Sequence, residues 1–160
     1  MNAFEAETNR SLSDMQDKYP DFFYFRLYDT KSFRLISENI FAYKQPSDYV
    51  AVFKGKVYFL ELKSTHSDTS FSFRYIRQHQ MDSLLRADKA GAKSFFVIND
   101  RSTKRHFKSY AVKASTLNDF INSTDKHSIK WDELEKISLS VDRMNNMKWD
   151  YNKVFNIYLM

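Results

Sequence analysis

The 160-residue sequence predicts an α/β fold: a central mixed β-sheet flanked by helices, with elements in the order αβββαβ. Three observations predict it. An amphipathic helical stretch opens the chain at residues 2–18, a two-stranded hairpin turns at Lys54-Gly55, and a helical segment at 74–90 leads into an apolar strand at 94–98. Alternation between a 3.6-residue and a 2-residue hydrophobic period is what helices packed on a sheet require. At this length one domain, residues 1–160, is expected.

Each element has its own warrant. In the first helix Phe4, Thr8, Leu12, Met15 and Tyr19 fall within about 80° of one another on a helical wheel. Glu5 lies at the edge of that stripe, where an acid leans toward the sheet, while Glu7 and Asp14 are expected to face water. The alternative for Glu5 is that it only favours the positive end of the helix dipole. Residues 22–28 read as one aromatic strand, and residues 29–47, with Lys31, Arg34 and Lys44, as a loop or projecting hairpin. The hairpin strands 48–53 and 57–63 are apolar on both faces apart from their charged ends, as expected of a central pair covered by helices on each side.

The Ser/Thr-rich stretch 64–73 follows, with Ser72 as a cap for the helix at 74–90, which stops at Gly91. Gln80 falls inside the apolar stripe of that helix, four residues from both Ile76 and Leu84, so an amide points at the sheet where leucine would cost less. Gln80 is either a satisfied core amide or a holder of a water or phosphate oxygen. A basic loop (Arg101, Lys104, Arg105, Lys108) separates strand 94–98 from strand 110–112. Residues 115–123 and 131–137 read as helices, and the aromatic tail (Trp149, Tyr151, Phe155, Tyr158) is expected to pack on the core rather than stack on bases.

The chemistry concentrates at the hairpin. A two-residue turn at Lys54-Gly55 pairs residues whose numbers sum to 109, placing Asp48 opposite Glu61 with Cβ atoms about 5 Å apart. Lys63 lies on the same face, roughly 7 Å further along. Two carboxylates at that separation repel by roughly 3 kcal/mol at an effective dielectric of 20, so a cation between them is called for. Oxygen ligands select Mg²⁺ or Mn²⁺ over zinc, the four histidines show no zinc-type spacing, and cysteine is absent. The literal string Pro-Asp followed by acid-x-Lys also occurs at Pro20-Asp21 and Asp29-Thr30-Lys31. A strand between those acids holds them about 26 Å apart, too far to share an ion.

Composition narrows the partner. The net charge is +5 and the pI about 9.3, which favours an anionic partner, and nucleic acid is the natural one. Arg26, Arg74, Arg77, Lys104 and Arg105 are the candidate phosphate contacts, with Arg101 and Lys108 in the same basic loop. No apolar run is long enough to span a bilayer, no signal peptide is read, and cysteine is absent, so a cytoplasmic protein is expected.

The order of elements, with Asp48, Glu61-Leu62-Lys63 and Gln80 in place, resembles the PD-(D/E)xK nuclease superfamily and its restriction-endonuclease-like core. More narrowly, Phe4-Glu5, Tyr24-Phe25-Arg26-Leu27-Tyr28-Asp29, Ser47-Asp48-Tyr49, the run 58–64, the segment 70–73, His79-Gln80-Met81 and the run 95–99 resemble the RecU-like Holliday junction resolvases, also called the penicillin-binding-protein-related factor A family. The likeness runs from about residue 4 to about residue 130. It implies that Glu5, Asp48 and Glu61 hold Mg²⁺, for which Mn²⁺ can substitute, that Lys63 assists catalysis together with Asp48 and Glu61, and that Gln80 supports the site. It further implies a homodimeric endonuclease acting on four-way DNA junctions in recombination and repair and leaving a 5′-phosphate. Two alternatives stay open: a nuclease of the same fold acting on other DNA substrates, and a non-catalytic DNA-binding module.

Overall fold

Helix α1 (Ala3–Lys18) begins where the sequence places it, because Asn2 and Glu5 close a reciprocal capping box: the Glu5 N–H donates to Asn2 Oδ1 (2.9 Å) and the Asn2 N–H to Glu5 Oε2 (3.3 Å). The computed structural model describes residues 1–28, 44–103 and 107–156. Strands β1 (Phe22–Arg26), β2 (Tyr49–Phe53) and β3 (Lys56–Thr65) form an antiparallel meander. The predicted register holds from Phe53↔Lys56 to Tyr49↔Leu60. Its turn has both central residues in left-handed conformation, Lys54 at φ 49° and Gly55 at φ 73°, which is the twist a two-residue hairpin needs.

The chain then forms the short strand β4 (Ser70–Ser72), a 3₁₀ turn (Phe73–Tyr75) and helix α2 (Gln78–Lys89), and returns through β5 (Lys93–Asp100), which pairs parallel to β3. Strand β6 (Lys108–Lys113), helix α3 (Ala114–Asn122), β7 (Ser128–Lys130), α4 (Trp131–Ile137), β8 (Leu139–Met144), β9 (Lys148–Asp150) and α5 (Asn152–Asn156) complete the described residues. Among these residues the main sheet has seven strands in the order β1-β2-β3-β5-β6-β8-β9, and β4 pairs with β7 in a separate two-stranded sheet. The mixed sheet and the flanking helices agree with the expectation, and so does the order αβββαβ as far as β5 once β4, which lies outside the main sheet, is set aside.

Two cores lie on opposite faces of the sheet. One buries Phe4, Leu12, Tyr49, Phe53, Tyr58, Leu60 and Trp149 between α1, the sheet and the C-terminal residues. The other buries Met81, Leu84, Phe96, Val112, Leu117 and Leu134 beneath α2, α3 and α4. Each large apolar side chain so buried contributes about 1.5–3 kcal/mol. The hydroxyls carried into the first core are satisfied: Tyr58 donates to the Phe155 carbonyl (2.7 Å), and Thr8 and Tyr151 share a bond of 2.8 Å. The tail packs as expected, with Trp149, Tyr151 and Phe155 at most 1% exposed, while Tyr158 lies outside the described residues.

Four expectations are corrected. Strand β1 stops at Arg26 rather than residue 28, although the Leu27 N–H still donates to the Asp48 carbonyl (2.8 Å). Helix α2 begins at Gln78, not 74, because Ser70–Ser72 is drawn into pairing with β7 and both Ile76 and Arg77 are extended. Ser72 accordingly precedes the 3₁₀ turn and makes no side-chain capping bond. The hairpin is also neither central nor covered on both faces. It sits near one edge, and on the face away from α1 the rows Phe23-Val52-Val57 and Phe25-Val50-Phe59 are only partly covered, with Phe23 57% and Phe25 56% exposed. Tertiary pairing decided all four, and local pattern does not record it.

Candidate active site

Strand alternation sends Tyr58, Leu60 and Leu62 into the α1 core, and Glu61 and Lys63 to the α2 face. Glu61 is 3% exposed there. Its Oε1 accepts from Lys63 Nζ (2.8 Å) and from Gln80 Nε2 (2.5 Å), while Gln80 Oε1 accepts from the same ammonium (2.9 Å). The three side chains form a closed triangle. Gln80 is held in turn from its own helix start, where its Oε1 also accepts from the Arg77 N–H (3.2 Å).

Asp48 reaches the triangle by a local slip of the ladder. Its N–H donates to the Leu60 carbonyl (3.1 Å), the residue already paired with Tyr49, so two residues face one, as in a β-bulge. This re-aims the carboxylate, whose Oδ2 accepts from the Leu62 N–H at 2.7 Å, between Glu61 and Lys63 in sequence. The expected direct opposition of Asp48 and Glu61 is therefore replaced by a bulge that still brings them together. Among the described residues no hydrogen bond reaches Asp48 Oδ1 or Glu61 Oε2.

The electrostatics reflect that proximity. Burial, then the Asp48 charge, pushes Glu61 up to about 7 against the pull of Lys63 and Arg77. Burial also raises Asp48, with Glu5 adding to the rise and the Leu62 N–H, Lys63 and Arg26 opposing it. Two neighbouring carboxylates that both resist ionisation, chiefly through burial, suit a divalent cation.

Glu5 is nearby but otherwise engaged. Its Oε2 pairs with Arg26 (2.9 Å) and its carboxylate closes the Asn2 capping box, so the helix-start role raised as the alternative is realised. Among the described residues no three His, Cys, Asp or Glu side chains are gathered closely enough to enclose an ion, so Glu5 does not complete a three-acid set with Asp48 and Glu61 in this arrangement. Tyr49, which sequence reasoning passed over, fixes the approach: its hydroxyl donates to the Glu5 carbonyl (3.2 Å).

The candidate phosphate contacts scatter. Arg26 lies within the site, paired with Glu5 and over the Tyr28 ring (5.2 Å). Arg74 is exposed and lies over Tyr75 (5.1 Å). Arg77 is exposed immediately before α2 and acts on Glu61. Partial desolvation and the charges of Lys44, Arg77 and Lys63 lower the pKa of His79, which marks a basic lip beside the triangle. Lys104, Arg105, Lys31 and Arg34 lie outside the described residues.

Two charges in the α1 and loop regions are corrected outright. Arg101 is withdrawn from the surface, and Glu7, expected to face water, is 1% exposed and accepts from the Arg101 guanidinium at 2.7 Å. The sequence carried a signal for Glu7, three residues after Phe4 and four before Ser11 on the buried face. Its partners lie 94 and 142 residues away, at Arg101 and Trp149, and nothing local points to them.

A mixed sheet that gathers an acid pair, a lysine and a supporting glutamine near one strand end defines an α/β domain with an acidic site. Comparison of the sequence with known proteins gives it a lineage. The family described as Recombination protein U matches residues 24–157, and the chain belongs to that family. A Holliday junction resolvase RecU of Shouchella clausii is 30% identical over 118 residues, covering 71% of this chain and 54% of the relative. The RecU of Leuconostoc mesenteroides subsp. mesenteroides is 28% identical over 125 residues, covering 78% and 60%. The chain thus spans a little over half the length of these relatives. Among solved structures, that of Hjc, a Holliday junction resolvase of Archaeoglobus fulgidus, aligns with a TM-score of 0.47 at 14% identity, covering 82% of this chain and 94% of that one.

The raised Glu61 pKa has a stability consequence. Folded Glu61 binds its proton more tightly than the unfolded side chain, whose pKa is near 4.5, so this group's contribution is fully present below pH 4.5 and lost as pH rises through about 7. In metal-free protein, unfolding free energy is expected to drop between pH 4.5 and 8 by on the order of 3 kcal/mol from this group. Glu61→Gln should flatten most of that drop, measured by urea denaturation across the pH range.

Proposed function

We propose that the chain is a divalent-metal-dependent DNA endonuclease that resolves four-way junctions by phosphodiester hydrolysis. The observation that carries the reading is the Glu61-Lys63-Gln80 triangle with Asp48 beside it, in a chain of the Recombination protein U family. Its relatives' names supply the junction substrate. Asp48 and Glu61 would hold Mg²⁺ or Mn²⁺, and Glu5 would join directly or through water once released from Arg26. The ion supplies water activation near neutral pH and neutralises charge on the phosphoryl oxygens.

The chain's own groups do the remainder. Lys63 carries its positive charge at the end of β3, beside the carboxylates, where it offsets the charge that develops on a pentacoordinate phosphorus. Gln80 holds both Lys63 and Glu61, so neither needs to reorganise as the reaction proceeds. Arg77 and Lys44 at the lip, with Arg74 further out, offer cations to the phosphates flanking the cut.

Resolving a junction takes two opposed nicks, which one site cannot make together, so the working unit is a two-fold dimer. The partly covered apolar face of β1, β2 and β3 supports a second copy there: its outward rows carry Phe23 and Phe25, and Val57 is 38% exposed. Phe25→Glu is expected to shift the protein to monomer by sedimentation at micromolar concentration; an unchanged dimer would move the interface elsewhere.

The assay that tests the function compares a four-way junction with linear duplex, with and without Mg²⁺. Wild type should cut the junction only with the ion, and Asp48→Asn should lose at least about 100-fold in rate while keeping junction affinity within a few-fold. Equal cutting of duplex would favour the related reading of a nuclease with another DNA substrate. Undiminished cleavage by Asp48→Asn would refute the mechanism.

A further inference from the structure

Glu7, at 1% exposure, is a buried carboxylate held from three directions. Its Oε2 accepts from the Arg101 guanidinium (2.7 Å) and from Trp149 Nε1 (2.9 Å), and the Arg143 guanidinium stands 3.8 Å from Oε1. The arginines are themselves sandwiched by rings: Arg101 lies over Phe107 (4.5 Å) and Phe4 (6.0 Å), and Arg143 over Phe107 (5.0 Å) and Trp149 (5.2 Å). Buried ion networks of this kind are often no more stable than apolar residues of the same volume. Stability alone therefore does not explain this one.

Its geometry does. The Arg101 N–H donates to the Thr65 carbonyl (2.9 Å), and the Arg101 carbonyl lies 3.1 Å from His66 Nδ1, so Arg101 is stitched to the end of β3 two residues beyond Lys63. Glu7 lies on α1 two residues beyond Glu5, whose carbonyl is held by the hydroxyl of Tyr49, the neighbour of Asp48. The start of α1 is thereby pinned at two points, at Tyr49 on β2 beside Asp48 and, through Arg101, at the end of β3, the strand that carries Glu61. We propose that Glu7 and Arg101 are positioning residues that, with Tyr49, set the distance of Glu5 from Asp48 and Glu61, and with it the part Glu5 takes in holding a divalent cation. The cation half of this assignment rests on the function proposed above; the placement of α1 does not.

The test uses the full chain without DNA and has two arms. In the first, Mn²⁺ affinity is measured by calorimetry for wild type, Glu7→Gln, Arg101→Lys, Glu5→Gln and the Glu5→Gln/Glu7→Gln double variant. Glu7→Gln keeps an acceptor for Trp149 but loses the charge; it should weaken Mn²⁺ binding about tenfold, as loss of side chains that orient metal ligands does, whereas Arg101→Lys, which keeps the charge, should retain most of the wild-type affinity. In the Glu5→Gln background the same change should add less than about twofold, since Glu5 is the group being positioned. In the second arm, hydrogen exchange without metal should speed up in the first turn of α1 in Glu7→Gln, and Arg101→Gln probes the same contact should Glu7→Gln fold poorly.

Unchanged Mn²⁺ affinity in Glu7→Gln, or full additivity with Glu5→Gln, would overturn the assignment even if the melting temperature falls. Wild type that binds no Mn²⁺ while α1 exchange still accelerates would refute the metal reading and support the positioning of α1. Unaltered exchange would refute the positioning itself.

Discussion

Backbone pairing that forces two carboxylates together in a partly buried place is the constraint on which the rest of the molecule turns. Asp48 and Glu61 gain nothing from each other's company; burial raises both pKa values, the charge of Asp48 adds to the rise of Glu61, and Glu5 adds to that of Asp48. They are held by groups that cannot move away: the Leu62 N–H on Asp48, and Lys63 and Gln80 on Glu61. The bulge at Asp48 is the local price of aiming its carboxylate at the site. A protein that keeps such an arrangement has a use for concentrated negative charge, and a cation that organises a phosphodiester is the use that its family membership favours.

The surrounding architecture follows from serving that spot. The parallel β3–β5 pair puts α2 over the acids' face, so Gln80 and Arg77 arrive from the helix start. On the opposite face α1 brings Glu5 to the end of the sheet, fixed through its carbonyl by Tyr49 and through Glu7 by Arg101. The C-terminal β8–β9 pair contributes Trp149 and Arg143 to the same buried carboxylate. Distant parts of the chain thus converge on the placement of two short stretches, the first turn of α1 and the end of β3.

Much of this was legible in the sequence, for identifiable reasons. The Lys54-Gly55 turn sets a register, and register sets which side chains share a face; that is why Asp48, Glu61 and Lys63 could be grouped, while the string at residues 20–31 was rejected because it has no such turn to bring its acids together. Gln80 stood out because an amide in an apolar stripe is costly unless it has a task. What was not legible depends on contacts between residues far apart in sequence. Glu7 sits on a face shared with Phe4 and Ser11, yet its burial is made tolerable by Arg101, Trp149 and Arg143, brought close by folding. The early part of the 74–90 segment has helical composition but follows directly on Ser70–Ser72, which pairs with β7, and forms a 3₁₀ turn and an extended Ile76-Arg77 instead, and the partly bare face of β1 to β3 depends on where α2 finds its partners. The bulge at Asp48 has no local signature at all.

The central claim is that Asp48 and Glu61 jointly hold a divalent cation. Anomalous scattering from crystals soaked in Mn²⁺ tests it directly. The account predicts a peak about 2.1–2.2 Å from one oxygen of each carboxylate, absent in Asp48→Asn. A peak bound elsewhere, or none at millimolar Mn²⁺ with both side chains ordered, would contradict it.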